Sequence, residues 1–167
     1  ADRAWVTGGV RGDTTAGALR RVPRLLRLRP AGVVVAVGGN DMLRAIPPAE
    51  TEKHPDAILK VIRSADARAV LLGMRAAPNL GPIYSRDFDE LFPRVAKRHG
   101  VPFLPFYISP VAGNPALNQA DGIHPTAMGH RLIADHLRKF LLPILLPVSG
   151  RPLPAAPGLP SGRLAPT

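Results

Sequence analysis

A chain of 167 residues with 46% hydrophobic content suits one globular domain and can bury a core. Its formal net charge of +10 admits nucleic acid as a partner, while the absence of cysteine excludes disulfides, thiolate metal sites and cysteine nucleophiles. No apolar run reaches the roughly 18 residues that a membrane-spanning helix needs, and the richest, Phe140 to Val148, is broken by Pro143 and Pro147.

In chain order, Trp5 to Val10 reads as a short strand and Thr15 to Leu28 as a helix. Arg20, Arg21, Arg24, Arg27 and Arg29 interleave with Leu19, Val22, Leu25, Leu26 and Leu28 there, as on a helix with one solvated side. That pattern accounts for the basic excess, and no aromatic residue sits in a basic stripe, so a nucleic-acid binder remains a minor alternative. Ala31 to Val37 is apolar without alternation, the pattern of a central strand buried on both faces. A helix follows over roughly Ala49 to Ala65, then strand Ala69 to Met74.

Arg86 to His99 reads as the next helix, with Ser85 as its cap, acidic residues in its first turn and Gly100 closing it. Val101 to Tyr107 follows as a strand placed at an edge by Pro102 and Pro105, and Ala127 to Leu142 as a last helix. Apolar spacing gathers Ile58, Val61 and Ile62, then Phe88, Leu91, Phe92 and Val95, then Leu132, Ile133, Leu137, Phe140 and Leu141 on helix faces. Pro23, Pro55 and Pro93 predict kinks or later helix starts. Strands alternating with helices indicate βαβ units and a parallel sheet over residues 1–146, and the Pro/Gly-rich segment 147–167 reads as a disordered tail.

Three short motifs carry chemistry. Gly38-Gly39-Asn40-Asp41 stands at the carboxyl end of a strand, where such sheets bind ligands, and Asn40 offers a neutral N–H donor for a developing oxyanion. The same residues are also ordinary turn chemistry. In Asp121-Gly122-Ile123-His124-Pro125 an acid three residues before a histidine can accept the imidazole Nδ1–H and leave Nε2 free as a general base. A metal ligand or a plain surface loop is the alternative, although no second histidine stands at ligand spacing. Gly12-Asp13-Thr14 can supply a second oxyanion N–H, and Asp13 or Thr14 can cap the following helix.

The order of G-D-T, G-G-N-D after a strand and a late D-G-I-H-P before a final helix resembles the SGNH or GDSL hydrolases of the thioesterase I, lysophospholipase and arylesterase type. Arg75, Asn79, Gly81 and Tyr84, with the V-P-F-L-P-F segment, extend the likeness over roughly Ala4 to Leu145. The resemblance implies a three-layer α/β/α flavodoxin-like fold with a parallel sheet, and hydrolysis of carboxylic esters or acyl thioesters by a Ser-His-Asp mechanism. It makes His124 the base, Asp121 its partner, and Gly12 and Asn40 the oxyanion hole. Asp41, Met42, Leu43, Arg44 and Ile46 would form a loop over the acyl chain, with Arg75 and Asn79 also at the substrate. It further implies a monomer acting on a small molecule, without metal or organic cofactor, in the periplasm or secreted.

The family's first block, G-D-S, supplies the nucleophile and does not occur in this sequence. Ser64, Ser85, Ser109, Ser149 and Ser161 lie on helical, loop or tail segments without a nucleophile-like turn. The expectation is therefore a domain missing its first βα unit, inactive as written, within a precursor carrying roughly 30 to 60 further residues upstream. The alternative is a pseudoenzyme of the same fold that binds acyl or glycan ligands without turnover.

Overall fold

The computed structural model describes residues 5–145; the expected tail, 147–167, lies outside them. The elements are α1 (Thr15–Leu26), β1 (Gly32–Ala36), α2 (Gly39–Leu43), α3 (Pro48–Ser64), β2 (Arg68–Leu72), α4 (Pro82–His99), β3 (Phe103–Leu104) and α5 (Ala127–Leu145), with 3-10 turns at Pro78–Leu80 and Pro115–Leu117. All strand pairs are parallel, in the order β1-β2-β3. Gly32 to Ala36 register with Arg68 to Leu72, and Leu71 and Leu72 with Phe103 and Leu104. Each crossover between neighbouring strands contains a helix, as parallel pairing requires.

Two strand expectations are corrected. Among the described residues the central strand is β2, whose Val70, Leu71 and Leu72 are buried, whereas the more uniformly apolar β1 stands at the edge of the described sheet with Val33 and Val34 only half-buried. Trp5 to Val10 forms no strand: no ladder partner stands beside it among the described residues, Gly8-Gly9 interrupts it, and Trp5 is 72% exposed. The edge position expected near Pro102 and Pro105 is found, since the two prolines bracket a β3 of two residues.

The helix α4 begins earlier than expected, with Gly81 as N-cap and Pro82 at its first position. Ser85 is inside the helix, its amide donating to the Gly81 carbonyl, and the acidic residues fall beyond the first turn. Asp89 instead accepts from the Ala76 amide at 2.7 Å and so ties down the chain after β2. Gly100 closes α4 as expected. Pro23, Pro55 and Pro93 all lie within helices that start well before them, so the expected later starts do not occur.

The core lies where α3 and α4 meet the sheet. Ile58, Leu59 and Ile62 from α3 and Phe88, Leu91, Phe92 and Val95 from α4 are all at most 1% exposed. Spacing of three and four residues puts each set on one face, and each such side chain stabilises the fold by roughly 1.5–3 kcal/mol. The α5 face is less completely covered: Gly129 and Ile133 are buried, while Met128, Leu132 and Leu142 are exposed.

An ionic network joins α3 to α4 beside this core. Glu52 accepts from Arg94 and Arg98, and Asp56 from Arg98, the buried His99 and Lys60. Burial opposes charge on Asp56, but the hydrogen bonds from Lys60, Arg98 and His99 outweigh it and hold the carboxyl well below its usual range. A depressed folded pKa adds stability above the unfolded value of about 3.8, which is lost as pH falls through the folded value. Asp56→Asn should lower stability by roughly 1–3 kcal/mol at neutral pH. Melting temperatures followed downward from pH 5 should converge with those of the wild type; parallel curves would show that Asp56 does not contribute in this way.

Candidate active site

The chain leaving β1 turns through Gly38 and enters α2, which brings Asn40 against the segment that starts α1. The Asn40 side-chain amide donates to the Asp13 carbonyl at 2.9 Å, and one amide proton remains for another acceptor. Arg44 donates to the Gly12 carbonyl at 2.8 Å, so two contacts clamp the Gly12 turn to the α2 segment. Gly12 is exposed at φ +75°. The two expected oxyanion donors thus lie on segments bonded to one another, Gly12 on a turn and Asn40 in the first turn of α2.

Below this surface, Asp41 is 1% exposed and both carboxylate oxygens are occupied by Thr15, at 2.8 Å from the amide and 2.5 Å from the hydroxyl. Asp41 therefore satisfies an α1 N-terminal amide from a different element. Thr14 makes no side-chain capping bond; Asp13 accepts from the Thr14 amide and pairs with Arg21. The Thr15 hydroxyl also meets His54 Nδ1 at 2.8 Å. This trio is not a nucleophile triad: the hydroxyl, fully buried, stands between carboxylate and imidazole, whereas activation needs the imidazole in the middle.

The other residues expected at the substrate divide by exposure. Asp41 and Met42, as placed, offer no surface to a ligand; Met42 is 7% exposed, packed in the core, and its sulfur accepts the Ala77 amide. Leu43 is exposed, and Ile46 is half-buried with its carbonyl accepting from Tyr84. Arg75 is exposed with its guanidinium 5.6 Å from the Phe106 ring centroid, and Asn79 is exposed on the Pro78–Leu80 turn.

Asp121 and His124 form their pair within one loop. His124 Nδ1 lies 2.7 Å from one Asp121 oxygen, and the other accepts from the Ile123 and His124 amides at 2.9 and 3.0 Å. Those backbone donors, the His124 amide foremost, together with the imidazole, hold the Asp121 carboxyl well below its ordinary range. An ionised Asp121 accepts Nδ1–H, and the loop contacts leave Nε2 unclaimed. Asn118 fixes the loop's base by donating to the Val111 and Asn114 carbonyls, while the Gln119 backbone amide donates to the His124 carbonyl and its side-chain amide to that of Pro125. An open depression of about 430 Å³, lined by Asn114, Asn118, Gln119 and Gly122 among others, adjoins this loop.

No hydrogen bond among the described residues links the Asp121–His124 loop to the Gly12–Asn40 surface, nor does one join any serine to His124. Ser64 donates to Lys60 at the end of α3, Ser85 is in α4 and Ser109 is on the loop after β3. Ser149 and Ser161 fall outside the described residues. Thr15, His54, Asn118 and Gln119 are absent from the sequence-based site, because their roles depend on partners that local spacing does not reveal. The repeated amides at Asn114 and Asn118 are the one local signal of a built loop.

Residues 1–132 match the GDSL-like Lipase/Acylhydrolase family. The chain is 38% identical over 141 residues to Thioesterase 1/protease 1/lysophospholipase L1 of Escherichia coli K12, covering 84% of this chain and 68% of that protein. A crystal structure of TesA superposes with a TM-score of 0.79 at 35% identity, covering 83% of this chain and 77% of that one. The psychrotrophic esterase EstA of Pseudoalteromonas sp., inhibited by monoethylphosphonate, gives 0.78 at 30% identity, with 81% and 75% covered. With its parallel βα architecture, its ordered motifs and these matches, the chain belongs to the GDSL-like lipase/acylhydrolase family of SGNH hydrolases.

Proposed function

We propose that this domain provides the base and oxyanion side of a serine hydrolase for carboxylic esters or acyl thioesters. The observation that carries the reading is the 2.7 Å contact between His124 Nδ1 and one oxygen of the Asp121 carboxylate, whose other oxygen accepts two backbone amides. In this reaction His124 Nε2 takes the proton of an attacking serine and returns it to the leaving oxygen or sulfur. Asp121 holds the tautomer and stabilises the imidazolium. Gly12 and Asn40 bind the oxyanion, while Leu43 and Ile46 border the acyl chain. Arg75 and Asn79 remain candidate substrate contacts at the exposed rim. The chemistry uses no metal or organic cofactor, and the substrate is a small molecule rather than a nucleic acid. Work as a monomer in the periplasm belongs to the same proposal; no described helix is long and apolar enough to cross a membrane.

The 167-residue chain alone is proposed to lack turnover, because its described serines are placed on other elements. A fluorophosphonate ester probe tests this. It should leave the chain unlabelled and should label it once a G-D-S segment from a relative is joined ahead of Ala1. Labelling of the unextended chain would contradict the missing-nucleophile reading; failure of the extended, folded chain to label would remove the hydrolase reading. The same serine placement favours one second reading, a binding module that holds acyl ligands without hydrolysing them, which saturable binding without product would support.

A further inference from the structure

We infer that Thr15, Asp41 and His54 form a positioning relay that sets the two oxyanion donors in register; this rests on the proposed oxyanion role of Gly12 and Asn40. Each of the three lies in a different helix: Thr15 opens α1, Asp41 is in α2 and His54 is in α3. Their side chains meet at one point, with Thr15 and Asp41 fully or almost fully buried.

The direction of the relay follows from its protons. The Thr15 hydroxyl has one hydrogen, and at 2.5 Å from an Asp41 oxygen it donates there. Its oxygen must then accept from His54, so Nδ1 carries hydrogen and the order is His54 Nδ1–H to Thr15 Oγ1–H to Asp41 carboxylate. The second Asp41 oxygen takes the Thr15 amide. No partner in this chain of bonds lacks its complement.

The relay is one residue away from the proposed donors on one strand of contact and three on the other. Asn40, adjacent to Asp41, bonds Asp13; Arg44, three residues beyond Asp41, bonds Gly12. Two further bonds, from Thr15 to Asp41, fix the same two segments from beneath. A donor pair aimed before the substrate arrives stabilises developing charge without reorganisation, and supporting bonds of this kind set that aim. His54 is the outermost member and is only partly buried, so it can be removed without opening the core.

The experiment uses the ¹⁵N-labelled 167-residue chain, with hexanoate as a probe for the acyl-carboxylate site. A long-range ¹H–¹⁵N spectrum should show His54 protonated at Nδ1 and not at Nε2 when neutral; the opposite tautomer overturns the relay whatever the site does. Hexanoate should shift the Gly12 amide and the Asn40 side-chain amide. Thr15→Ser should keep the wild-type midpoint within about twofold, while Thr15→Val raises it about tenfold and His54→Leu about threefold. Equal midpoints for wild type and a folded His54→Leu chain would overturn the positioning role while leaving the oxyanion reading intact. No response at either amide in the wild type would instead overturn the oxyanion reading, and the relay's purpose with it.

Discussion

Removing the His124 imidazole should lower kcat by about four to six orders of magnitude in a form of the domain joined to a nucleophilic serine, with KM nearly unchanged. In the proposed mechanism the imidazole accepts the serine proton and later protonates the leaving group, and among the described residues the exposed loop holds no second base in contact with Asp121. Asp121→Asn should cost about 10⁴ in kcat, since an amide no longer fixes the Nδ1–H tautomer. Asn40→Ala should cost about 10² to 10³, the usual effect of deleting one oxyanion donor. This ranking is checked by steady-state hydrolysis of a p-nitrophenyl ester with each variant's fold confirmed by circular dichroism. An unchanged rate for any of the three would take that residue out of the mechanism.

The largest expected effect on stability comes from Gly38→Ala. Gly38 has φ +103°, a backbone conformation that a side chain strains, and an added Cβ would stand 2.7 Å from Phe92 Cζ. Phe92 has no room to yield: it is fully buried and packs edge-on against Phe88 with ring centroids 5.6 Å apart. Backbone strain of about 1–3 kcal/mol and core overpacking of about 1–3 kcal/mol act together. Together, at about 2–6 kcal/mol, they are a large fraction of a small domain's stability, so the variant should melt far below the wild type. Urea unfolding followed by tryptophan-independent circular dichroism measures it; a midpoint close to the wild type would show that the turn after β1 can adopt another path. The same turn launches Asn40, which is why the core and the proposed oxyanion site depend on one glycine.

The interior of α3 and α4 was legible because helical spacing is local: Ile58 and Ile62, or Phe88, Leu91, Phe92 and Val95, identify a buried face from their intervals alone. Gly100 and the two prolines around β3 were legible for the same reason, as each acts on its own backbone. The Asp121–His124 pair also lies within the reach of one loop, and the three-residue interval determines the contact. Family membership likewise follows from ordered short motifs.

Tertiary structure decided what depends on a distant neighbour. Apolar Val33 and Val34 describe a strand that can be buried on both faces, but only the order of the described sheet places β1 at its edge and β2 in its centre. Trp5 to Val10 has strand-like residues and no ladder to join among the described residues. Asp41 reads as a polar loop residue next to Asn40; packing α1 and α3 over it made it a buried acceptor for Thr15. Sequence by itself determined which residues can form helices, turns and a local acid–base pair, because those interactions span a few residues. Whether a carboxylate faces a ligand or secures two helices was set by the fold, since desolvation and hydrogen-bond partners come from segments far apart in the chain.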